Sequence, residues 1–351
     1  MNKFIKIGKK KIGAGYPCFI IAEASINHNG RVSLAKKMAN EAKKAGADCI
    51  KFQTFTASEF CADKKQKIEL YSNGKKKIWN LYNLYKKHEF SVSQWKEIKK
   101  YCDKIGIIFM STVQDPINFK LLKKIGIKAI KVGSDDFDNI SNLKYYAKTK
   151  LPMIISRGMS DIKEIKNIID KIYKINKKLA VLHCVSIYPS SSSELNLKQI
   201  LSLQKVFPKV IWGYSDHSLG TLAPAIAVTL GSKIIEKHFT LDNKLLGPDH
   251  SFSVNPKQLK ELVDNIRFTE NSLGTEKIFN SKKEIKNKNF MRRRIVAKKD
   301  LSSGTKINNL NISFKRSSSG LFINQLNKIK GKTLKVAKKK DASILIRDIK
   351  I

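Results

Sequence analysis

The chain has 351 residues, 42% of them apolar, which is enough to bury one large core and leave a small second domain. No apolar run approaches the roughly 18 residues that a membrane helix needs, so we expect no membrane partner. The formal net charge of +40 comes from lysines spread over the whole chain. Because no aromatic residues are interleaved with a basic motif, we also expect no specific nucleic-acid partner.

The first residues and the cysteines bear on the cellular compartment. Residues 1–15 are basic but contain no apolar stretch of the kind found in signal peptides. The five cysteines have no paired spacing, which favours a reducing compartment over a disulfide framework. The sequence therefore predicts a cytoplasmic protein.

Short apolar runs alternate with amphipathic segments along most of the chain. Each run is rich in isoleucine, valine and phenylalanine, as parallel strands covered on both faces are. Between residues 161 and 176 isoleucines recur at helical spacing, and a similar pattern ends at Gly46. The predicted strands are residues 19–24, 49–53, 107–111, 129–133, 153–156, 180–184, 210–214 and 233–238.

Eight such units within about 270 residues favour an α/β fold, the (β/α)8 or TIM barrel. A doubly wound open sheet is the alternative, but no glycine-rich dinucleotide loop follows the first strand. After Gly274 the pattern stops and short alternating segments follow a charged stretch. We therefore predict a barrel domain over residues 1–281, a linker over 282–291 and a small, mostly β module over 292–351.

One long insertion, residues 54–90, interrupts the barrel pattern. It carries Trp79, Tyr82, Tyr85 and many lysines, and it is too long for a plain connection. One interpretation is a lid or an oligomer contact. The other is a helical decoration that packs its aromatic residues locally.

Polar residues gather at the C-terminal ends of the predicted strands, where barrel enzymes place their chemistry. Two lysines and several hydroxyls at one mouth suit a phosphate and a carboxylate. Two histidines on adjacent strands, with a carboxylate nearby, suit a divalent metal with open positions. The residues are Glu23, Lys51, Gln53, Ser111, Thr112, Lys131, Ser134, Ser156, Arg157, His183, Ser186, Ser215, His217, Glu236 and His238.

Several motifs follow one another in a fixed order. They are Ile21-Ala22-Glu23, Ile26-Asn27-His28-Asn29-Gly30, Lys51-Phe52-Gln53-Thr54, Lys131-Val132-Gly133-Ser134, Gly158-Met159, Tyr214-Ser215-Asp216-His217, Glu236-Lys237-His238-Phe239 and Gly247-Pro248-Asp249. Together they resemble the sialic acid synthase family. The part around residues 294–304 looks like the antifreeze-protein-like (SAF) domain of that family.

Enzymes of that family condense phosphoenolpyruvate with an N-acetylated hexose, usually N-acetylmannosamine or a dideoxy relative. The products are a nine-carbon sialic acid and phosphate. The resemblance therefore implies a phosphoenolpyruvate-dependent transferase that forms a carbon–carbon bond, of the N-acetylneuraminate synthase type. It leaves open a legionaminate or pseudaminate synthase that uses a diacetamido-trideoxyhexose.

The resemblance also implies roles for the residues at the strand ends. His217 and His238 would bind Mn²⁺, or else Mg²⁺ or Co²⁺, and the ion would polarise the open-chain sugar aldehyde. The two lysines would hold phosphoenolpyruvate while hydroxyl groups bind its phosphate and carboxylate. The residues implied for phosphoenolpyruvate are Lys51, Thr112, Lys131, Ser134, Ser156, Ser186, Tyr188 and Ser215.

The sugar side of the implied site has its own residues. Glu23 would contact the sugar and stabilise or deprotonate the centre where bonds change, and Asp249 would orient the sugar or the attacking water. Gln53 and Tyr188 would line the sugar pocket. Arg316 would reach the N-acetyl group from the small domain of a neighbouring subunit, which requires a domain-swapped homodimer.

Two further hypotheses stay open from the sequence. The first is a synthase of a seven- or eight-carbon keto-deoxy sugar acid, against which the C-terminal module argues. The second is an inactive barrel that binds glycans. We also expect Arg157, in front of Gly158-Met159, to add charge beside the phosphate site.

Overall fold

The computed structural model describes residues 4–72 and 75–350. The chain divides into two compact units, Met1–Gly274 and Thr275–Ile351. Within the described ranges, no helix combines the length and the apolar composition that crossing a bilayer requires. All five cysteines are buried and free of disulfide bonds.

Strands and helices alternate through most of the first unit. Its strands are β1 (Phe4–Ile7), β2 (Lys10–Gly13), β3 (Phe19–Ser25), β4 (Cys49–Thr54), β5 (Lys67–Ser72), β6 (Lys75–Asn80), β7 (Ile108–Val113), β8 (Ile130–Val132), β9 (Met153–Ser156), β10 (Leu179–Cys184), β11 (Ile211–Asp216) and β12 (Ile234–His238). Its helices are α1 (Val32–Ala45), α2 (Ala57–Phe60), α3 (Leu81–His88), α4 (Val92–Ile105), α5 (Pro116–Lys124), α6 (Ile140–Ala147), α7 (Ile162–Ile175), α8 (Gln199–Val206), α9 (Leu222–Thr229) and α10 (Pro256–Leu273).

Eight parallel strands of this unit close into a barrel, in the order β3, β4, β7, β8, β9, β10, β11, β12. The predicted (β/α)8 barrel is therefore confirmed, and each predicted strand end lies within two residues of the observed one. Every residue of β3 is buried, because the strand faces the barrel interior on one side and the helices on the other. This double burial explains why the strands read as continuous apolar runs.

Helix α7 shows why the predicted helices form where they do. Asp161 caps its N-terminus by accepting from the backbone N–H groups of Lys163 and Glu164, and Glu164 completes a capping box. Ile165, Ile168, Ile169 and Ile172 face inward and are buried, as their spacing predicts, whereas Ile162 at the start of the helix is exposed.

The N-terminal end of the barrel is closed by the β1–β2 hairpin. Ile5, Ile7 and Ile12 of this hairpin are buried and pack against the apolar side chains that fill the lower barrel, such as Phe19 and Ile154. Because this end is filled with apolar side chains, the polar strand ends gather at the opposite mouth.

The insertion between β4 and α4 contains the β5–β6 hairpin with α2 and α3. The ring of Tyr85 makes edge contacts with Phe55 and Phe60, each at a centroid distance of 4.7 Å. Trp79 and Leu84 belong to the same small apolar cluster. This local packing supports the interpretation as a decoration, while a lid or oligomer contact stays a prediction.

The second unit contains α11 (Lys282–Met291) and the antiparallel pair β13 (Arg294–Ala297) and β14 (Ile312–Lys315). Two 3-10 turns, Ile323–Lys328 and Ile346–Asp348, follow. The unit has its own apolar core. The stretch predicted as a linker is the helix α11, which begins after the Ser281 cap and has no buried side chain.

Candidate active site

A cavity of about 350 Å³ opens at the C-terminal ends of the barrel strands. Of the strand-end residues that the sequence analysis named without a role from the family resemblance, Glu236 lines it, whereas Ser111, Arg157 and His183 do not. Of the fourteen residues to which the resemblance assigns a role, twelve line it, whereas Asp249 and Arg316 do not. Those twelve are Glu23, Lys51, Gln53, Thr112, Lys131, Ser134, Ser156, Ser186, Tyr188, Ser215, His217 and His238. The structure thus brings residues from all eight barrel strands, or from just after them, into one place.

The floor of the cavity holds two lysines and two carboxylates, all buried. The Lys51 Nζ lies 2.5 Å from Glu23 Oε2 and 3.7 Å from Glu236 Oε2. The Lys131 Nζ lies 3.4 Å from Glu236 Oε1. Two hydroxyls also accept from the lysines, Thr112 from Lys51 at 2.8 Å and Ser156 from Lys131 at 2.9 Å. The floor is therefore a compact cluster of opposite charges with hydroxyl groups beside it.

Glu236 stands between the two lysines, although the sequence analysis assigned it no role. It also accepts a hydrogen bond of 3.0 Å from the Ser215 hydroxyl. A signal was present in the sequence, because Glu236 lies two residues before His238 on one strand and must face the same side. The sequence could not show how close the two lysines come to it.

The four charged groups shift one another's pKa values. Burial raises the pKa of Glu23 to about 8, although Lys51 acts in the opposite direction. Burial favours a raised pKa for Glu236 too, but Lys131 and Lys51 outweigh it and leave the pKa of Glu236 below its usual value. Glu236 is thus the ionised partner of the lysines, while Glu23 can carry a proton at neutral pH.

Hydroxyl groups form a second cluster on the floor. The Ser134 and Ser186 hydroxyls lie 2.9 Å apart. Gly158 makes their approach possible, because a Cβ at this position would come within 2.2 Å of Ser186 Oγ. Serine hydroxyls and lysine ammonium groups are donors that bind phosphate and carboxylate oxygens.

The two histidines stand side by side at the mouth, with ring centroids 5.5 Å apart. His217 donates from Nδ1 to the Val185 carbonyl at 2.6 Å, so its Nε2 carries the lone pair. His238 has a buried Nδ1 without a hydrogen-bond partner among the described residues. Burial lowers the pKa of His217 to about 4 and that of His238 well below its usual value. Both imidazoles are therefore neutral, which is the form that binds metals.

These residues fit a divalent ion with two protein ligands. Among the described residues, no group of three or more histidine, cysteine, aspartate or glutamate side chains could hold a metal. The remaining positions around an ion at His217 and His238 would fall to water or substrate. An ion with open positions of this kind is suited to polarising a carbonyl oxygen.

Asp249 lies behind His238, with 3.7 Å between its Oδ2 and the His238 Nδ1. It accepts a hydrogen bond of 2.5 Å from the Ser25 hydroxyl. A β-bulge between Glu23 and Ser25 turns Ser25 towards Asp249 while Glu23 faces the cavity. Burial raises the pKa of Asp249. Its role towards the sugar stays a prediction.

Two arginines have different outcomes. Arg316 follows β14 in the second unit and is exposed, and its role towards the sugar stays a prediction. The prediction that Arg157 adds charge beside the phosphate site is wrong, because its side chain lies on the outer side of the barrel wall. Its guanidinium is 2.5 Å from His183 Nδ1 and 2.5 Å from Gln199 Oε1. Since Ser156 faces the interior, its neighbour in sequence must face the helices.

An ion pair lies on the outer side of the strands that carry the histidines. The Lys237 Nζ is 2.6 Å from Asp216 Oδ2, and both side chains are fully buried. Tyr214 and Ser218 donate hydrogen bonds to the other oxygen of Asp216. The pair joins β11 to β12 beside His217 and His238, so it helps to fix the positions of the two rings.

The rim of the cavity contains residues that the sequence analysis missed. Gln114, Asp135 and Met159 line it together with Gln53 and Tyr188. None of the three missed residues lies in a barrel strand, and the search by strand ends therefore passed over them.

The closed barrel, the floor of lysines and hydroxyls and the paired histidines, all at the C-terminal ends of the strands, are the arrangement of a barrel enzyme's active site. The model of the NeuB family matches residues 38–278, and the model of the SAF domain matches residues 292–350. The chain belongs to the NeuB family.

Its relatives include synthases of legionaminic and N-acetylneuraminic acids. The chain is 37% identical to the N,N'-diacetyllegionaminic acid synthase of Legionella pneumophila, over 93% of each chain. It is 39% identical to the N-acetylneuraminate-9-phosphate synthase of Mus musculus, over 75% of this chain and 73% of the other. The solved N-acetylneuraminic acid synthetase of Leptospira borgpetersenii, in complex with citrate, has a TM-score of 0.74 at 35% identity, covering 83% of this chain and 98% of that one.

Proposed function

We propose that this protein condenses phosphoenolpyruvate with the open-chain aldehyde form of an N-acetylated hexose, such as N-acetylmannosamine. The products are a nine-carbon sialic acid and phosphate. The observation that carries the proposal is that the lysine pair and the histidine pair line one cavity of about 350 Å³. One pair suits a phosphorylated carboxylate and the other suits an aldehyde oxygen.

Phosphoenolpyruvate takes the floor in this proposal. Its phosphate and carboxylate receive charge-assisted hydrogen bonds from Lys51 and Lys131 and hydrogen bonds from the hydroxyls beside them. These hydroxyls belong to Thr112, Ser134, Ser156, Ser186 and Ser215. Lys51 Nζ lies 2.5 Å from the carboxyl group of Glu23 and Lys131 Nζ lies 3.4 Å from the carboxylate of Glu236, so both lysines are held in place before the substrate arrives.

The sugar aldehyde lies above the enol, next to His217 and His238. These two histidines would hold a divalent ion, Mn²⁺ in the first instance, and such an ion would supply Lewis-acid polarisation of a carbonyl oxygen. The enol carbon forms the new bond to the aldehyde carbon. Water then attacks the carbon that bears the phosphate, and phosphate leaves with the bond between that carbon and the bridging oxygen broken.

Glu23 acts as the general acid and then as the general base in this scheme. Its pKa of about 8 lets it hold a proton at neutral pH, and it lies within the cavity beside Lys51. It gives that proton to the oxygen of the former aldehyde. As a carboxylate it then stabilises the positive centre that water attacks and takes up the proton that the water loses.

A diacetamido-trideoxyhexose is the second candidate substrate. The similarity to the legionaminic acid synthase of Legionella pneumophila extends over 93% of the chain, whereas that to the mouse 9-phosphate synthase covers 75%. The family match sets aside the synthases of shorter sugar acids. An inactive glycan-binding barrel is the alternative of a different class.

The test is an assay of the purified full chain with phosphoenolpyruvate and Mn²⁺. The panel of sugars comprises N-acetylmannosamine and the diacetamido-trideoxy sugars of mannose and altrose configuration. We expect phosphate release with at least one sugar and a nine-carbon acid in the mass spectrum. The proposal fails if no sugar releases phosphate. A binding-only barrel would then be examined by direct titration with the same sugars.

A further inference from the structure

The rim of the cavity differs in charge from its floor. Among the described residues, the only lysine or arginine side chains that line the cavity are those of Lys51 and Lys131, and both belong to the floor. The rim consists of Gln53, Gln114, Asp135, Met159 and Tyr188. A neutral or acidic rim is unexpected in a chain with a net charge of +40. It calls for a reason connected with the ligand.

The two floor lysines cannot bind a charged group at the rim, because they are buried and already have partners. Each is only 2% exposed, and each has a carboxylate within 3.4 Å. The proposed reaction uses both for phosphoenolpyruvate. The aldehyde carbon of the sugar must lie beside the enol, so the far end of the sugar extends towards the rim.

Asp135 is the charged residue at that rim. It is exposed, and none of the described residues forms an ion pair with it. Its carboxylate lies back over Gly133, where a Cβ would come within 2.1 Å of Asp135 Oδ1. The absence of a side chain at Gly133 therefore leaves the space that the carboxylate occupies above the floor.

We propose that Asp135 is a specificity-determining residue that makes the site select a sugar with an uncharged far end and reject its phosphorylated counterpart. This inference rests on the proposed function. A phosphate monoester carries between one and two negative charges at neutral pH. Placed near the Asp135 carboxylate, on a rim where the described residues of the same chain supply no lysine or arginine, it is repelled.

The distinction matters within this family. The mouse relative is named for a product with a phosphate at its far end, and the Legionella relative for a product without one. Membership of the family therefore leaves the choice open. The rim residues of this chain are where the choice is made.

The experiment measures kcat/KM of the full-length protein, with phosphoenolpyruvate and Mn²⁺ saturating, for N-acetylmannosamine and for N-acetylmannosamine 6-phosphate. We expect the wild type to prefer the neutral sugar by on the order of 100-fold. Asp135→Asn should raise the relative kcat/KM of the phosphorylated sugar about 10-fold, and Asp135→Arg should raise it further.

Asp138→Asn is the matched control. Asp138 is an exposed aspartate of the same loop that does not line the cavity, so its removal takes away the same charge. It should leave the preference between the two sugars unchanged. A second measurement needs no variant, because the preference of the wild type should weaken as added salt screens the rim charge.

The possible results separate this inference from the function on which it rests. If the wild type prefers the phosphorylated sugar, or if Asp135→Asn and Asp138→Asn act alike, the role of Asp135 is refuted and the condensation stands. If neither sugar nor any other of the panel is turned over, the proposed function and this inference are both refuted.

Discussion

At the scale of single residues, His217 and His238 come from neighbouring strands and present two neutral rings at the mouth of the barrel. Their neutrality follows from burial, which penalises the imidazolium form. Two neutral imidazoles that line one cavity are suitable ligands for a divalent ion. Binding of such an ion can be measured without following the reaction.

We expect His217→Ala and His238→Ala each to weaken Mn²⁺ binding at least 10-fold, because each variant removes one of the two protein ligands. Titration calorimetry of the metal-free protein measures this directly. His183→Gln is the control, since His183 is a buried histidine of an adjacent strand whose Nε2 donates to the Leu195 carbonyl outside the cavity. The ligand assignment is wrong if the control loses as much affinity as the two variants.

His28 gives a second prediction at this scale. It is fully buried, its ring stacks on Phe90 at 4.3 Å, and burial lowers its pKa to about 3. Below about pH 6.5 the unfolded chain binds a proton there that the folded chain does not, so stability is lost as the pH falls. His28→Phe keeps the stacking but removes the proton site.

The dependence of unfolding free energy on pH between 6.5 and 4 should therefore be less steep in His28→Phe, by ~1.4 kcal/mol per pH unit. Urea unfolding at several pH values measures it. Parallel curves for wild type and variant would show that His28 does not contribute.

The alternation of side chains along a strand accounts for much of what the sequence could predict. The positions of strand ends, together with the family resemblance, named twelve polar residues that line one cavity, and their roles stay predictions. Arg157 was assigned wrongly because it was counted as a strand-end residue without asking which side it faces. Glu236 was seen but received no role, since its interaction with two lysines depends on distances across the barrel. Asp135 and Gln114 follow the strand ends and had no periodic signal.

At the scale of elements, the insertion shows where local pattern fails. Its length was evident, but the β5–β6 hairpin is rich in lysine and lacks clear alternation of apolar and polar residues. Other parts of the insertion, including α3, attach it to loops of the barrel. One such contact is made by Leu84 with Ile26 and Phe55. Another is polar, because Asn29 lies between His88 and His250.

Leu84→Ala should loosen the insertion selectively, since removing a buried leucine side chain costs ~2–5 kcal/mol. Amide hydrogen exchange should rise in α2 and α3 while the barrel strands keep their protection. Ile78→Ala is the control, because Ile78 is in the same insertion but 74% exposed. A rise of equal size in the control, or one that spreads through the barrel, would contradict a separately held insertion.

Helix α11 was missed for a related reason. Its sequence has no apolar face, so it reads as a charged connection, and all its side chains are exposed. The cap at Ser281, which accepts from the Glu284 N–H, marks where the helix begins.

At the scale of the whole molecule, the change of pattern after Gly274 was enough to predict a second unit, because a core of its own needs its own set of apolar residues. The oligomeric state could not be predicted from the sequence pattern in the same way. Arg316 is exposed in this unit, and we propose that it completes the site of a partner in a domain-swapped homodimer.

Mixing two inactive variants tests this arrangement. Arg316→Ala lacks the arm residue and His217→Ala lacks a metal ligand. In a swapped mixed dimer one of the two sites combines an intact barrel with an intact Arg316. Mixing should therefore restore about a quarter of all sites at a one-to-one ratio. No gain of phosphate release after mixing and subunit exchange would mean that Arg316 does not act between subunits.

The five buried thiols have a practical consequence for spectroscopy. Burial raises the pKa of every cysteine, which leaves little reactive thiolate at neutral pH. A cysteine introduced at an exposed position that does not line the cavity, such as Ile162, would be labelled selectively by a maleimide dye. A second label on the C-terminal unit would then let energy transfer follow that unit relative to the mouth, in solution and during turnover.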